Sequence, residues 1–142
     1  MQDVLPKKAN LFVDYYLYDI KSLDNKKHVT KTNKDNKRII KNLLQLDKDG
    51  KKILLRVPLI PCFNDSKKEL TNIFEFSKNL KNIASIHFLQ FHKLGYQKYK
   101  WINKDYQCKY NCYNKKDLRK KIDEINQMNK KYGFNVIFGG LE

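Results

Sequence analysis

The chain has 142 residues, about the length of one domain, and its hydrophobic fraction of 41% argues against disorder. It has no apolar stretch of the roughly 18 residues that a membrane span needs, no signal-peptide core in its first residues and too few cysteines for a disulfide framework, so we expect a soluble cytoplasmic protein. The net charge of +15 suggests nucleic acid, but only three of the 30 basic residues are the arginines that favour phosphate and base recognition, so we favour solvated surface charge.

Apolar segments along the chain predict four strands that alternate with three helices. The polar stretch between Ser22 and Asp35 is predicted to be a long loop. The predicted elements are a strand at 11–20, a helix at 36–47, a strand at 53–60, a helix through the apolar stripe at 70–80, a strand at 85–91, a loop at 92–114, a helix at 117–132 ended by Gly133, and a strand at 135–138. The order β-α-β-α-β-α-β indicates an α/β fold with parallel strands. Near-continuous apolar strands favour a sheet covered on both faces or closed into a barrel.

Polar side chains follow the predicted strands at their carboxyl ends, where such folds bind ligands. Asp19 and Lys21 follow the first strand, Arg56 lies within the second and His92 follows the third. This set suits a small charged molecule with carboxylate or hydroxyl groups. Simpler explanations are a surface ion pair for Asp19 and Lys21, a structural salt bridge for Arg56 and a turn cap for His92. His87, inside the third strand, is predicted to be a packed core or barrel residue.

Five short motifs together resemble a known family. They are Asp19-x-Lys21; His28 followed by Thr32-Asn33 and Asn36; Arg56-Val-Pro-Leu-Ile-Pro61 followed by Asn64-Asp65; Leu89-Gln-Phe-His92-Lys-Leu-Gly95; and Tyr132-Gly133 followed by Gly139-Gly140. In this order and spacing they resemble the C-terminal half of glycyl-radical enzyme activating enzymes, which are radical S-adenosylmethionine enzymes. The pyruvate formate-lyase activating enzyme is the best known of them. The resemblance covers residues 8–140.

The resemblance implies a fold, a cofactor set and a partner. The fold is the C-terminal part of a partial (β/α) barrel, so residues 1–142 would be one incomplete domain. Asp19, Lys21, Arg56 and His92 would line the S-adenosylmethionine pocket. The family reduces S-adenosylmethionine at a 4Fe–4S cluster, and the resulting 5′-deoxyadenosyl radical takes a hydrogen atom from a glycine of a large enzyme, such as a formate acetyltransferase.

The chain departs from the family pattern at the cluster. The family motif Cys-x-x-x-Cys-x-x-Cys is absent, since Cys108 and Cys112 have only the first spacing and Lys115 stands where the third cysteine belongs. A Gly-Gly-Glu segment that binds the cofactor's amino group in the family is absent too. We therefore expect no catalytic residue and no metal ligand in this chain, and inactivity unless an N-terminal half is supplied.

Two further hypotheses remain open. The chain is either a basic binding module, for nucleic acid or for a glycyl-radical enzyme, or a remnant whose open sheet edges cause self-association. Cys62 stands where the family has glycine, which puts a turn with positive φ in doubt there.

Overall fold

The computed structural model describes residues 12–93, 101 and 110–139. The elements in chain order are strand β1 (Tyr16–Asp19), helices α1 (Asn25–Thr32) and α2 (Lys37–Lys48), strand β2 (Ile53–Leu59), helix α3 (Lys67–Lys78), strand β3 (Ile83–Gln90), helix α4 (Lys115–Asn129) and strand β4 (Val136–Gly139). The strands form one parallel sheet in the order β1-β2-β3-β4. The predicted α/β fold with parallel strands is confirmed. Most of the predicted loop at 92–114 lies outside the described residues.

Helix α1 contradicts the predicted loop between Ser22 and Asp35. The Asp24 side chain accepts a hydrogen bond from the backbone N–H of Lys27 at 3.1 Å, which is a standard N-terminal cap. At the other end Asn33 adopts φ 55° and its N–H donates to the carbonyl of Val29. Val29 is the one aliphatic residue in the helix, so no apolar periodicity marks it. Among the elements with described bounds, the order is therefore β-α-α-β-α-β-α-β.

Two predicted boundaries are also corrected. Strand β1 begins at Tyr16 rather than Leu11, and Phe12 is 86% exposed. Helix α4 ends at Asn129, and Gly133 lies in the turn that follows it with φ +74°. The N–H of Gly133 donates to the carbonyl of Asn129 at 2.7 Å, so the glycine closes this turn rather than the helix itself.

One face of the sheet carries the hydrophobic core. Alternate residues of β2 are at most 1% exposed, because they pack against the helices. The core cluster that they form takes Leu43 from α2, Phe74 from α3 and Ile125 from α4. The opposite face, here called the open face, is different: Leu17 is 61% exposed and Ile137 is 42% exposed. Within the described residues the helices therefore cover one face of the sheet, which of the two expected arrangements favours the barrel over a sheet covered on both faces.

A charged cluster joins α3 to the turn after α4. The Tyr132 hydroxyl donates to Oε1 of Glu75 at 2.5 Å, and Nζ of Lys131 contacts the same oxygen at 3.1 Å. These two hydrogen bonds lower the pKa of the Glu75 carboxyl below its usual value, with the tyrosine as the larger cause. The charged form is thus the one that the folded state favours.

We expect Glu75→Gln to reduce the loss of stability in acid. A carboxyl whose pKa is lower in the folded state stabilises the fold above its unfolded pKa and loses that contribution as the pH falls. Urea unfolding at pH 7 and pH 3 measures the difference. The exposed Asp123→Asn serves as the control and should lose as much stability in acid as the unmodified protein. The same acid loss in Glu75→Gln would contradict the prediction.

Candidate functional site

Asp19 and Arg56 meet on the open face of the sheet. They are partners in the parallel register of β1 and β2, and side chains of register partners project to the same face. Nε of Arg56 lies 3.3 Å from Oδ1 of Asp19, with the two side chains 36% and 58% exposed. The pair satisfies the charge of an arginine set among apolar residues, and its exposure leaves both groups accessible to a ligand.

Lys21 and His92 lie at the same carboxyl edge of the sheet. Lys21 is exposed and is the second residue after β1, and the intervening Ile20 is 1% exposed. His92 is exposed and is the second residue after β3. Arg56 lies inside β2 rather than at its end, and of the four predicted residues only Asp19 and Arg56 are in direct contact within the described part of the chain. Their contact with a cofactor stays a prediction.

Asn64 connects the loop after β1 to the carboxyl end of β2. It is 3% exposed, and its Nδ2 donates to the carbonyls of Lys21 and Pro58, both at 2.7 Å. Its Oδ1 accepts from the backbone N–H of Ile60 at 2.8 Å. One side chain therefore ties the loop after β1 to the end of β2. The sequence placed Asn64 in the motif that follows Arg56 but assigned it no role in the site, and the N-terminal cap of α3 is Ser66.

A buried polar network holds the loop between β1 and α1. Ser22 is 2% exposed and Glu69 is 3% exposed, and the serine hydroxyl donates to Oε2 of Glu69 at 3.1 Å. Nζ of Lys27 pairs with Oε1 of Glu69 at 2.9 Å. The amide of Asn36 donates to the carbonyls of Ser22 and Leu23 at 3.0 Å each. A buried carboxylate is costly unless it is paired and hydrogen-bonded, and here it is both.

His28 and Thr32 hold the turn between α1 and α2. His28 is 4% exposed, and its Nδ1 lies 2.8 Å from the carbonyl of Lys34 and 3.0 Å from the Thr32 hydroxyl. Nδ1 of His28 therefore makes contacts that hold this turn together.

Cys62 adopts the turn with positive φ for which the family has glycine. Its φ is +62°, in the left-handed region, and its N–H donates to Oδ1 of Asp65 at 3.0 Å. The hydroxyl of Tyr113 donates to the other oxygen of the same carboxylate. Burial and this hydrogen bond raise the pKa of Tyr113 well above its usual value, so the phenol remains the donor.

Cys62→Gly should raise the free energy of unfolding by about 0.5–1 kcal/mol. A residue with a β-carbon loses roughly 1–2 kcal/mol in this conformation, and the greater entropy of unfolded glycine offsets part of the gain. Cys62 is exposed, so little packing is lost. Urea unfolding measures the change. Asn33→Gly, at φ 55°, is the control and should gain less, because asparagine tolerates this region. A less stable Cys62→Gly protein would contradict the prediction.

The described residues contain no cluster of three His, Cys, Asp or Glu side chains arranged to hold a metal ion. Cys62 and Cys112 are free and exposed, and Cys108 lies outside the described residues. In the same part of the chain, no helix is long and apolar enough to cross a membrane.

Curated proteins of one kind match the chain. It is 36% identical over 129 residues to the trans-4-hydroxy-L-proline dehydratase activating enzyme of Clostridioides difficile, covering 89% of this chain and 41% of that protein. It is 38% identical over 96 residues to the isethionate sulfite-lyase activating enzyme of Nitratidesulfovibrio vulgaris, covering 66% and 31%. This chain is homologous to part of the glycyl-radical enzyme activating enzymes. It therefore spans less than half the length of these two relatives.

The fold agrees with that relationship. A domain of the pyruvate-formate lyase-activating enzyme from Bacteroides vulgatus superimposes with a TM-score of 0.66 at 23% identity, covering 89% of this chain and 68% of the other. At this identity the likeness concerns the fold alone. The parallel sheet is thus that of a partial barrel, as the sequence resemblance implied. No protein-family model matches the chain.

Proposed function

We propose that this chain is the C-terminal part of a glycyl-radical enzyme activating enzyme and forms one wall of its S-adenosylmethionine pocket. The observation that carries the proposal is the 36% identity over 129 residues to an activating enzyme. The Asp19–Arg56 pair is partly exposed and belongs to two of the motifs that resemble the family, which supports the pocket assignment. The partner would be a glycyl-radical enzyme, since the matched relatives are named as activators of a dehydratase and a lyase.

The side chains at the carboxyl edge fit S-adenosylmethionine chemically. The cofactor carries an amino group, a carboxylate and ribose hydroxyls. Asp19 would accept from a hydroxyl or the amino group, and Arg56 would bind the carboxylate. Lys21 and His92, both exposed at the same edge, would add donors around the ligand. Bound S-adenosylmethionine supplies the radical chemistry of the family.

The residues present do not fit a 4Fe–4S cluster. Ligation needs three closely spaced thiolates, and the three cysteines of the chain are at positions 62, 108 and 112. Cys62 and Cys112 are exposed and free. We therefore assign cluster binding to the N-terminal half of the activating enzyme, outside residues 1–142. Sequencing the DNA upstream of the Met1 codon tests this directly, with a Cys-x-x-x-Cys-x-x-Cys segment as the expected finding.

Calorimetric titration with S-adenosylmethionine tests the pocket. A hydrogen bond to a charged group contributes about 1.5–3 kcal/mol, so Asp19→Asn and Arg56→Gln should each weaken binding by about tenfold or more. Lys120→Gln is the control, because this exposed lysine of α4 lies on the helical side of the sheet. The titration is made with the N-terminal half present, because this chain supplies only one wall of the pocket. Unchanged binding in both site variants, or no binding by that complex, would contradict the pocket assignment.

A further inference from the structure

The four helices with described bounds all begin at the same edge of the molecule. A helix that connects two parallel strands runs antiparallel to them, so α2, α3 and α4 begin at the carboxyl edge of the sheet, where Asp19 and Lys21 lie. Helix α1 begins there too, because Oδ1 of its first residue Asn25 accepts a hydrogen bond at 3.0 Å from the backbone N–H of Asn36, the residue before α2. The N-terminal ends of the helices therefore border the candidate site.

Side-chain contacts join these N-terminal ends into one continuous surface. Nζ of Lys27 in α1 pairs with Oε1 of Glu69 in the first turn of α3 at 2.9 Å. The hydroxyl of Tyr113, just before α4, donates to the carboxylate of Asp65, just before α3. Nζ of Lys121 in α4 also donates to the backbone carbonyl of Asp65, at 2.8 Å. The fold thus fixes the positions of the helix starts relative to one another.

Basic residues occupy the first turn of each of these four helices. They are here called the basic rim and comprise Lys26 and Lys27 in α1, Lys37 and Arg38 in α2, Lys67 and Lys68 in α3, and Lys115 and Lys116 in α4. All eight are exposed. Basic residues are 30 of the 142 in the chain, yet the first two positions of α2, of α3 and of α4 are all basic. A lysine-rich composition alone does not place them so regularly.

Helix stability does not explain the basic rim. The N-terminus of a helix is the positive end of its dipole, so lysine and arginine are unfavourable in the first turn and favourable in the last. The first turns of α1 and α2 contain no acidic residue that would offset these charges. Helices α3 and α4 contain one each, Glu69 and Asp117, and Glu69 is 3% exposed. An unfavourable placement that recurs in four helices favours a role in binding.

We propose that the basic rim docks an acidic surface of the glycyl-radical enzyme partner, around the glycine that is to be activated. This inference rests on the proposed function and adds the docking surface and the charge of the partner. The glycine has to reach a cofactor bound at the carboxyl edge, so the partner surface that carries it has to cover this edge. Exposed positive charges there attract a negative surface over about 8 Å at physiological ionic strength and orient it on encounter.

The composition of the basic rim favours a protein partner over a nucleic acid. Seven of its eight residues are lysine and only Arg38 is arginine. Arginine is the residue that forms bidentate contacts with phosphate and with base edges, whereas lysine acts as a point charge. A nucleic acid also has no reason to be held at the edge where the cofactor would bind. Nucleic acid is therefore the second occupant in the test.

Surface plasmon resonance measures how fast the activating enzyme, with its N-terminal half present, associates with each glycyl-radical enzyme of the same organism. The rim variant carries Lys67→Gln, Lys68→Gln, Lys115→Gln and Lys116→Gln. The control variant changes four exposed lysines at or beyond the C-terminal ends of the helices: Lys48→Gln, Lys78→Gln, Lys81→Gln and Lys130→Gln. The two variants have the same net charge, so a general effect of charge would slow both equally.

We expect the rim variant to associate with its partner about tenfold more slowly at low salt, and the control variant less than about twofold more slowly. The difference should shrink as the ionic strength rises, because salt screens the attraction. Removing lysines from first turns relieves an unfavourable interaction with the helix dipole, so the rim variant should unfold at a urea concentration no lower than the unmodified enzyme. Slower association is then not a loss of folded protein.

The remaining outcomes separate the two proposals. Equal association rates for the two variants would overturn the basic rim as a docking surface while the proposed function stands. Binding of no glycyl-radical enzyme by the unmodified activating enzyme would overturn the proposed function, and the docking surface with it. A mixed-sequence DNA duplex is titrated in parallel. If the rim variant lost affinity for DNA but not for the glycyl-radical enzyme, the rim would be a nucleic-acid site and the proposal would be wrong.

Discussion

Asn64→Asp is expected to lower the free energy of unfolding by about 2–4 kcal/mol. The amide of Asn64 donates to the carbonyls of Lys21 and Pro58 at 2.7 Å, in a position that is 3% exposed. A carboxylate has nearly the same shape but no donor, so it faces two carbonyl oxygens with a negative charge. A buried polar group left without its partner costs about 1–3 kcal/mol. Urea unfolding followed by circular dichroism measures the loss.

Asn36→Asp is a matched control for this substitution. Asn36 is 4% exposed, and its amide likewise donates to two carbonyls, those of Ser22 and Leu23, at 3.0 Å each. Both variants should lose similar stability. Only Asn64 ties the loop of Lys21 to the end of β2, so only Asn64→Asp should weaken S-adenosylmethionine binding beyond the loss of folded protein. Two variants with equal binding per folded molecule would show that Asn64 stabilises the fold without setting the site.

The sheet and three of its helices were predictable because their residues follow apolar patterns. Helices α2, α3 and α4 lie close to their predicted positions, as do β2, β3 and β4. Helix α1 could not be found in this way, since a cap at Asp24 and a left-handed Asn33 form it almost without apolar residues. Such a helix is stabilised locally at its ends rather than by a face that packs on the core.

The site was predictable only in part for a related reason. Strand ends indicate where Asp19 and Arg56 lie, but the register that makes them partners depends on how two strands pair. Asn64 and Glu69 are polar residues buried by contacts that are 43 and 47 residues apart in sequence. No local pattern marks such residues, because their partners are backbone and side-chain groups that only the folded chain brings together.

Which side chains project to the open face also depends on the alternation of side chains along each strand. Arg56 and His87 alternate along their strands with fully buried neighbours such as Val57 and Phe88. The apolar residues between them anchor the strands on the helices and so direct the polar residues to the opposite face. A change in the core therefore acts on the site only through the stability of the sheet, unless it shifts the register.

Phe74→Ala tests whether the core affects the site only through the stability of the sheet. The substitution should lower the free energy of unfolding by about 3–5 kcal/mol. Phe74 is fully buried, and its ring stacks on Tyr132 at 5.0 Å and contacts Phe88 at 5.9 Å and Phe134 at 6.2 Å between centroids. The ring thus joins α3 to β3 and to the segment after α4. Since a domain of this size is stabilised by roughly 5–15 kcal/mol, the variant should lose a large part of its stability in urea unfolding.

Phe12→Ala is the control, because Phe12 is 86% exposed and its truncation should change stability by less than about 0.5 kcal/mol. At low temperature, where Phe74→Ala still populates the folded state, its affinity for S-adenosylmethionine per folded molecule should equal that of the unmodified chain. The reason is that the lost ring lies on the helical face and Arg56 on the open face. A lower affinity per folded molecule would mean that the core sets the register of β1 and β2 and thereby the pairing of Asp19 with Arg56.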